Sequence, residues 1–150
     1  MKLFHISHTD LDGYGCQLIT KKVFPDAIFY NANYGLEVKL FLKDALDKIE
    51  EESKDLEIFL LITDLNLTTD EAKKLDRDIK RLNENGHNIK LQLSDHHGTG
   101  EKSAEKYDWY YLDTSRSATK ITYDYFCENY SEFIGLCEDN FEQLIDAINA

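Results

Sequence analysis

The sequence predicts an α/β fold: a mainly parallel five-stranded sheet with helices on both faces, in one domain over residues 1–150. Three observations carry this. Short runs rich in branched and aromatic residues alternate with longer segments whose apolar residues recur every three or four positions. Such alternation implies strands paired in parallel through right-handed crossovers. Ile58-Phe59-Leu60-Leu61-Ile62 is apolar without interruption, as in a central strand covered on both faces. A chain of 150 residues is also long enough to bury one real core.

Leu3-Phe4-His5-Ile6-Ser7 is the first strand. A helix is predicted from Asp12 to Val23, with Leu18, Ile19 and Val23 on one side and Pro25 ending it. Ala27-Ile28-Phe29-Tyr30 is a second, short strand. The next helix runs from Leu36 to Ser53, and Val38, Phe41, Leu42, Ala45 and Ile49 give it an apolar face. After the central strand, Thr68-Thr69-Asp70-Glu71 has the form of a capping box. Ala72, Leu75, Ile79 and Leu82 form the buried stripe of the helix it opens, and Gly86 closes that helix, leaving His87 at the surface. Ile89-Lys90-Leu91-Gln92-Leu93 alternates, which predicts a more exposed fourth strand. Trp109 to Leu112 is the fifth, and its stripe of Tyr107, Trp109, Tyr110 and Tyr111 fits a packed strand better than a base-stacking platform. Two helices follow, Ser117 to Tyr130 and Ser131 to Asn149. The last has no closing Gly or Pro, so the natural polypeptide is expected to continue beyond Ala150.

Charge and composition narrow the function classes. Seventeen Lys and Arg against 29 Asp and Glu leave a net charge of −12, which argues against broad binding of duplex nucleic acid. A small anionic substrate stays open. No apolar run approaches the ~18 residues of a membrane span, and the first residues are too polar for a secretory signal. Cys16, Cys127 and Cys137 are odd in number and lack a Cys-x-x-Cys pair, which predicts reduced thiols in a cytoplasmic protein.

The residues that ordinary packing does not explain lie in three places: His8-Thr9-Asp10-Leu11-Asp12-Gly13, Asp64, and Asp95-His96-His97-Gly98. Each follows a predicted strand, and in open parallel sheets ligands bind beyond the carboxyl ends of the strands. His8, Asp10 and Asp12 alternate, so an extended chain would put all three on one side. Asp64 has two carboxylate oxygens and could bridge two ions. Carboxylates and imidazoles without thiolates suit two divalent cations, Mn2+ or Mg2+ ahead of Zn2+ or Fe2+. Two such ions clamp the attacking and leaving oxygens of an in-line displacement at phosphorus and turn a shared water into hydroxide. Blander roles are helix capping for Asp12, a turn at Asp64 and a hydrogen-bonded loop at 95–97.

The same residues resemble the DHH phosphoesterase family. Its triplet matches Asp95-His96-His97, its first motif Ser7-His8-Thr9-Asp10-Leu11-Asp12-Gly13, and its second Thr63-Asp64-Leu65. The match spans residues 1 to about 125 in motif order. The tight first motif is closer to the nanoRNase and RecJ-like branches than to the family's pyrophosphatases. The resemblance implies one Mn2+ on His8, Asp10 and Asp64, and a second on Asp12, Asp64 and His96. It implies that Asp95 orients His96, and that His97 contacts the scissile phosphate or protonates the leaving oxygen. Arg116, in a segment similar to a later family motif, would grip a phosphate. The family's fourth-motif Asp has no evident counterpart: Asp113 is early, and Asp146 lies in a helical pattern. The family's carboxyl-terminal substrate domain is absent from this chain. The expected activity is hydrolysis of phosphodiesters in short oligonucleotides or cyclic or linear dinucleotides. The rivals are a phosphomonoesterase or pyrophosphatase, a non-catalytic metal- and nucleotide-binding module, and a nucleotide-sugar transferase using Asp10-Leu11-Asp12, which leaves His96 and His97 unexplained.

Overall fold

The computed structural model describes residues 1–130 and 141–149. Its strands are β1 (Lys2–His8), β2 (Ile28–Ala32), β3 (Glu57–Thr63), β4 (Asn88–Asp95) and β5 (Tyr110–Leu112). Its helices are α1 (Leu11–Val23), α2 (Leu36–Glu51), α3 (Thr69–Glu84), α4 (Glu101–Lys106), α5 (Ala118–Asn129) and α6 (Phe141–Asn149). All strand pairs are parallel, in the order β2-β1-β3-β4-β5. The predicted fold class is the observed one.

Side-chain alternation divides the core in two. Phe4 and Ile6 of β1 and Ile58, Leu60 and Ile62 of β3 face the apolar stripes of α2 and α3. Leu3, Phe59 and Leu61 point the other way, onto Ile19 and Val23 of α1, Tyr123 and Phe126 of α5 and Ile145 of α6. The chain leaves β1 towards β2, then returns across the opposite face to β3. Strand order therefore reverses between β1 and β3, and a crevice opens there at the carboxyl edge. The cap at α3 is as expected: Thr68 and Glu71 bond reciprocally to each other's backbone N–H.

Several expectations give way. The fourth strand is interior, between β3 and β5. It alternates because Lys90 holds its ammonium over the Phe59 and Tyr125 rings and donates to the Tyr125 hydroxyl at 2.7 Å, so a charged residue covers apolar surface. His87 is buried, not superficial. Gly86 at φ +102° turns the chain back and lets the His87 N–H reach the Leu82 carbonyl at 3.1 Å. α1 begins at Leu11, and α4 has no counterpart among the predicted elements. Of the stripe near β5, Tyr110 is buried and Tyr107 and Trp109 pack on the core, with the indole N–H on Asp76; Tyr111 is exposed. Of the helix expected over 131–149, residues 131–140 lie outside the described residues, as does Cys137. Cys16 is buried, which pushes its thiol up to about 12 and keeps it unreactive. No described helix is long and apolar enough to cross a membrane.

Candidate metal centre

His8 ends β1, and its Nδ1 lies 3.0 Å from Asp10 Oδ2 and 3.9 Å from Asp64 Oδ2. The three ligand candidates of the first motif do not share one side of an extended chain. The strand stops at His8, Asp10 is the N-cap of α1, accepting from the Gly13 N–H at 2.9 Å, and Asp12 already belongs to the first turn. The turn requires glycine at 13: a Cβ there would stand 2.1 Å from the His8 carbonyl oxygen.

Asp64 follows β3, fully buried, with φ at +57°, a left-handed conformation that is unfavourable for a residue with a side chain. Its N–H is anchored on the Ser94 carbonyl at 3.1 Å. Its Oδ1 lies 3.0 Å from His96 Nε2, while Oδ2 is turned to His8. Asp12 Oδ2 lies 3.2 Å from the same His96 nitrogen. Donor atoms of His8, Asp10 and Asp64 fall within 4.8 Å of one another, and so do those of Asp64, Asp95, His96 and His97. The two groups share Asp64.

Asp95 was expected to orient His96; its carboxylate holds His97 instead. Oδ1 lies 2.8 Å from His97 Nδ1, and Oδ2 accepts from the His97 N–H at 3.3 Å. With Nδ1 held by a buried carboxylate, Nε2 is the remaining ring nitrogen of a His97 side chain that is 41% exposed. Under the site, Ser7 Oγ reaches Gly13 O and Thr63 O at 3.0 Å each, tying the turn after β1 to the end of β3. Thr63 Oγ1 is also 2.7 Å from His5 Nε2, and burial pushes the His5 imidazole down to about 3, so it stays neutral.

The electrostatics call for positive charge. Burial first, then the Asp10 side chain and the charges of Asp12, Asp10 and Asp95, push Asp64 up to about 10. Burial also pushes Asp10 up, but its polar contacts with Asp64 and His8 and its bond from the Gly13 N–H outweigh it and hold Asp10 at about 2. Two buried atoms, His8 Nδ1 and Asp64 Oδ2, have no hydrogen-bond partner. Orphaned lone pairs among converging carboxylates are what a cation would satisfy, and an oxygen–nitrogen set without sulfur fits a hard divalent ion. The residues present therefore fit the implied metals.

Arg116 is engaged elsewhere. Its Nε donates to Asp113 at 2.7 Å, Nη1 to Asp124 at 2.6 Å and Nη2 to the Tyr111 hydroxyl at 2.7 Å. It lines a groove of about 590 Å³ with Lys90, Gln92 and Trp109, away from the ligand candidates. Neither Asp113 nor Asp146 joins a metal-competent group among the described residues. Two contacts of the ligand candidates escaped the sequence reading, although Thr119 closes the Asp113 to Thr119 segment that resembles a later family motif. The Tyr34 ring packs on His8 with centroids 5.1 Å apart, and Thr119 donates to Asp12 at 2.6 Å. No local pattern announces Tyr34; the N-cap Ser117 could have pointed to Thr119 as part of a helix start.

No family model matches the chain. Among curated proteins it is 40% identical over 150 residues to a 3',5'-cyclic-nucleotide phosphodiesterase of Helicobacter pylori, covering all of this chain and 43% of that protein. It is 34% identical over 139 residues to oligoribonuclease NrnB of Bacillus subtilis, covering 85% of this chain and 31% of that enzyme. The chain is a relative of bacterial phosphodiester hydrolases. That bears out the resemblance to the DHH phosphoesterases. An uncharacterized protein from Helicobacter pylori G27, solved by crystallography, superposes with a TM-score of 0.81 at 44% identity, covering 85% of this chain and 37% of its own. The chain spans less than half the length of the curated relatives it matches.

Proposed function

We propose that this chain is the metal-holding domain of a manganese-dependent phosphodiesterase acting on short oligonucleotides or on cyclic or linear dinucleotides. The observation that carries the reading is the Asp64 carboxylate, buried between His8 on one oxygen and His96 on the other. His8, Asp10 and Asp64 would hold one divalent cation, Mn2+ ahead of Mg2+, and Asp12, Asp64 and His96 the second. Bound there, the two ions supply charge to the phosphoryl oxygens and acidify water for in-line attack. The chain's own residues do the rest. Asp95 fixes the His97 tautomer by accepting from Nδ1–H, so that Nε2 touches the phosphate or carries a proton to the leaving oxygen. Arg116 braces the segment before α5 through Asp113 and Asp124, and phosphate contact would require it to exchange those partners. The relatives' names support a nucleotide phosphodiester as substrate, and their greater length supports substrate grip by a further domain. The buried Cys16 thiol supports a cytoplasmic setting.

The test is hydrolysis of a dinucleotide and of pyrophosphate with added Mn2+, alongside metal titration, on this chain and on a longer natural form. Asp64→Ala is expected to lose both ions and at least about 1000-fold in turnover, some 4 kcal/mol of barrier. His97→Ala is expected to keep both ions and lose about 100-fold or more. Two ions bound normally by Asp64→Ala would break the bridging assignment. Turnover of pyrophosphate alone would replace the diesterase with a pyrophosphatase. Metal binding without turnover in either form would leave a binding module.

A further inference from the structure

We propose that the amino end of α5 is a positioning element of the metal centre, and that the Thr119 hydroxyl selects the Asp12 oxygen that meets the cation. The inference rests on the two-metal reading and names a part that the ligand motifs do not contain.

Asp12 and Thr119 are 107 residues apart and meet across the α1–α5 contact. Asp12 Oδ1 accepts from the Thr119 N–H at 2.8 Å and from Thr119 Oγ1 at 2.6 Å; Oδ2 accepts from the Ala118 N–H at 3.0 Å. The Thr119 hydroxyl also lies 2.9 Å from the Asp12 carbonyl oxygen, but its one proton goes to the nearer Oδ1, so Oδ1 has both in-plane lone pairs occupied while Oδ2 keeps one. The oxygen with the free lone pair is the one lying 3.2 Å from His96 Nε2. The arrangement also closes the helix start. A helix leaves its first N–H groups without intrahelical partners. Here two of them go to Asp12, and the Lys120 N–H goes to the Ser117 hydroxyl at 3.1 Å. The positive end of the α5 dipole faces the Asp12 carboxylate. Before α5, the Ser117 N–H is held by Asn149 of α6 at 2.7 Å.

The packing is built around this hydroxyl. Thr119 is fully buried, and a Cβ on Gly15 would stand 2.5 Å from its Oγ1. Glycine at 15 thus gives the hydroxyl room beside α1. Carboxylate ligands need such outer hydrogen bonds to hold their orientation, and losing one typically weakens metal affinity about 10–100-fold.

The experiment is Mn2+ titration by calorimetry on this chain, wild type beside Thr119→Ala, Thr119→Val and Thr119→Ser, with folding checked by circular dichroism. Alanine vacates the hydroxyl's space and valine fills it, so a defect common to both belongs to the lost hydrogen bond. The expected result is two ions in wild type. Both hydroxyl-less variants should have one of the two Kd values raised about tenfold or more with the other unchanged, and Thr119→Ser should keep both. Gly15→Ala, which displaces Thr119 from α1, is expected to reproduce the one-ion defect. Folded alanine and valine variants with both Kd values unchanged would overturn the inference, whatever their melting temperatures. Equal weakening of both ions would overturn it as well, as a general loss of structure. A wild-type chain that binds fewer than two ions would overturn the metal reading itself, and this inference with it.

Discussion

The two halves of the metal centre are made in different ways. On the His8 side, the ligand candidates are two residues apart, and Asp10 is oriented by its own helix through the Gly13 N–H. On the His96 side, Asp12 leaves α1, His96 follows β4, and the carboxylate is fixed by α5 from more than 100 residues away. Exposure follows the same division: the Asp10 side chain is 52% exposed and that of Asp12 15%. A local turn makes the first half, and helix packing makes the second. Disturbing the first should therefore cost metal alone, while disturbing the second should cost metal and fold together.

The largest effect expected from this difference is in Asp10→Asn against Asp12→Asn. Each is expected to lose one ion. Asp10→Asn should leave Tm nearly unchanged, since asparagine caps helices as well as aspartate does. Asp12→Asn turns an amide donor against the donors of α5 and should lower stability by about 2 kcal/mol, the scale of hydrogen bonds to a buried charge. Calorimetric melting checks this, and equal Tm losses would break the comparison.

The shared residue sharpens it. Asp64 keeps its proton up to about pH 10, yet a cation needs the carboxylate. Metal binding at neutral pH should release about one proton, and affinity should rise by up to about tenfold per pH unit until pH 10 and then level off. Titrations in buffers of different ionisation enthalpy measure the release; none would place the proton elsewhere. The sign for the metal-free fold is the reverse. From 3.8 to about 10 the unfolded chain has lost this proton while the folded one retains it, so stability declines as pH rises.

The smallest effect at neutral pH comes from His5, beneath the β1 and β3 ends. Its imidazole is pushed from 6.5 to about 3, so between those values the unfolded chain binds a proton that the folded chain refuses. Stability from this residue is complete above pH 6.5 and is lost as pH falls, by up to about 1.4 kcal/mol per unit. His5→Gln should flatten the acid limb of denaturation measured by urea melts between pH 4 and 7, and an unchanged slope would assign that limb to other groups.

Much of the fold was legible because its signals are local. The Thr68–Glu71 box, the α3 stripe and the apolar run of β3 each announce an element within a few residues. The interior place of β4 was not, because Lys90 lies over rings contributed by β3 and α5, and a charged residue in a strand reads as exposure. His87 was misread for the same reason: the fold of the turn at Gly86, not the polarity of imidazole, decides its burial.

Within the centre, the residue types and their positions at strand ends were written in the chain, since donor chemistry and strand periodicity depend on near neighbours alone. Which atoms meet was decided by tertiary structure. The left-handed backbone of Asp64, the exchange of His96 for His97 as the partner of Asp95, the diversion of Arg116 to Asp113 and Asp124, and the grip of α5 on Asp12 all depend on elements brought together from distant parts of the chain. A hydrogen bond is decided within a few tenths of an ångström, and that precision comes from the packing of helices on a sheet, which no short motif contains.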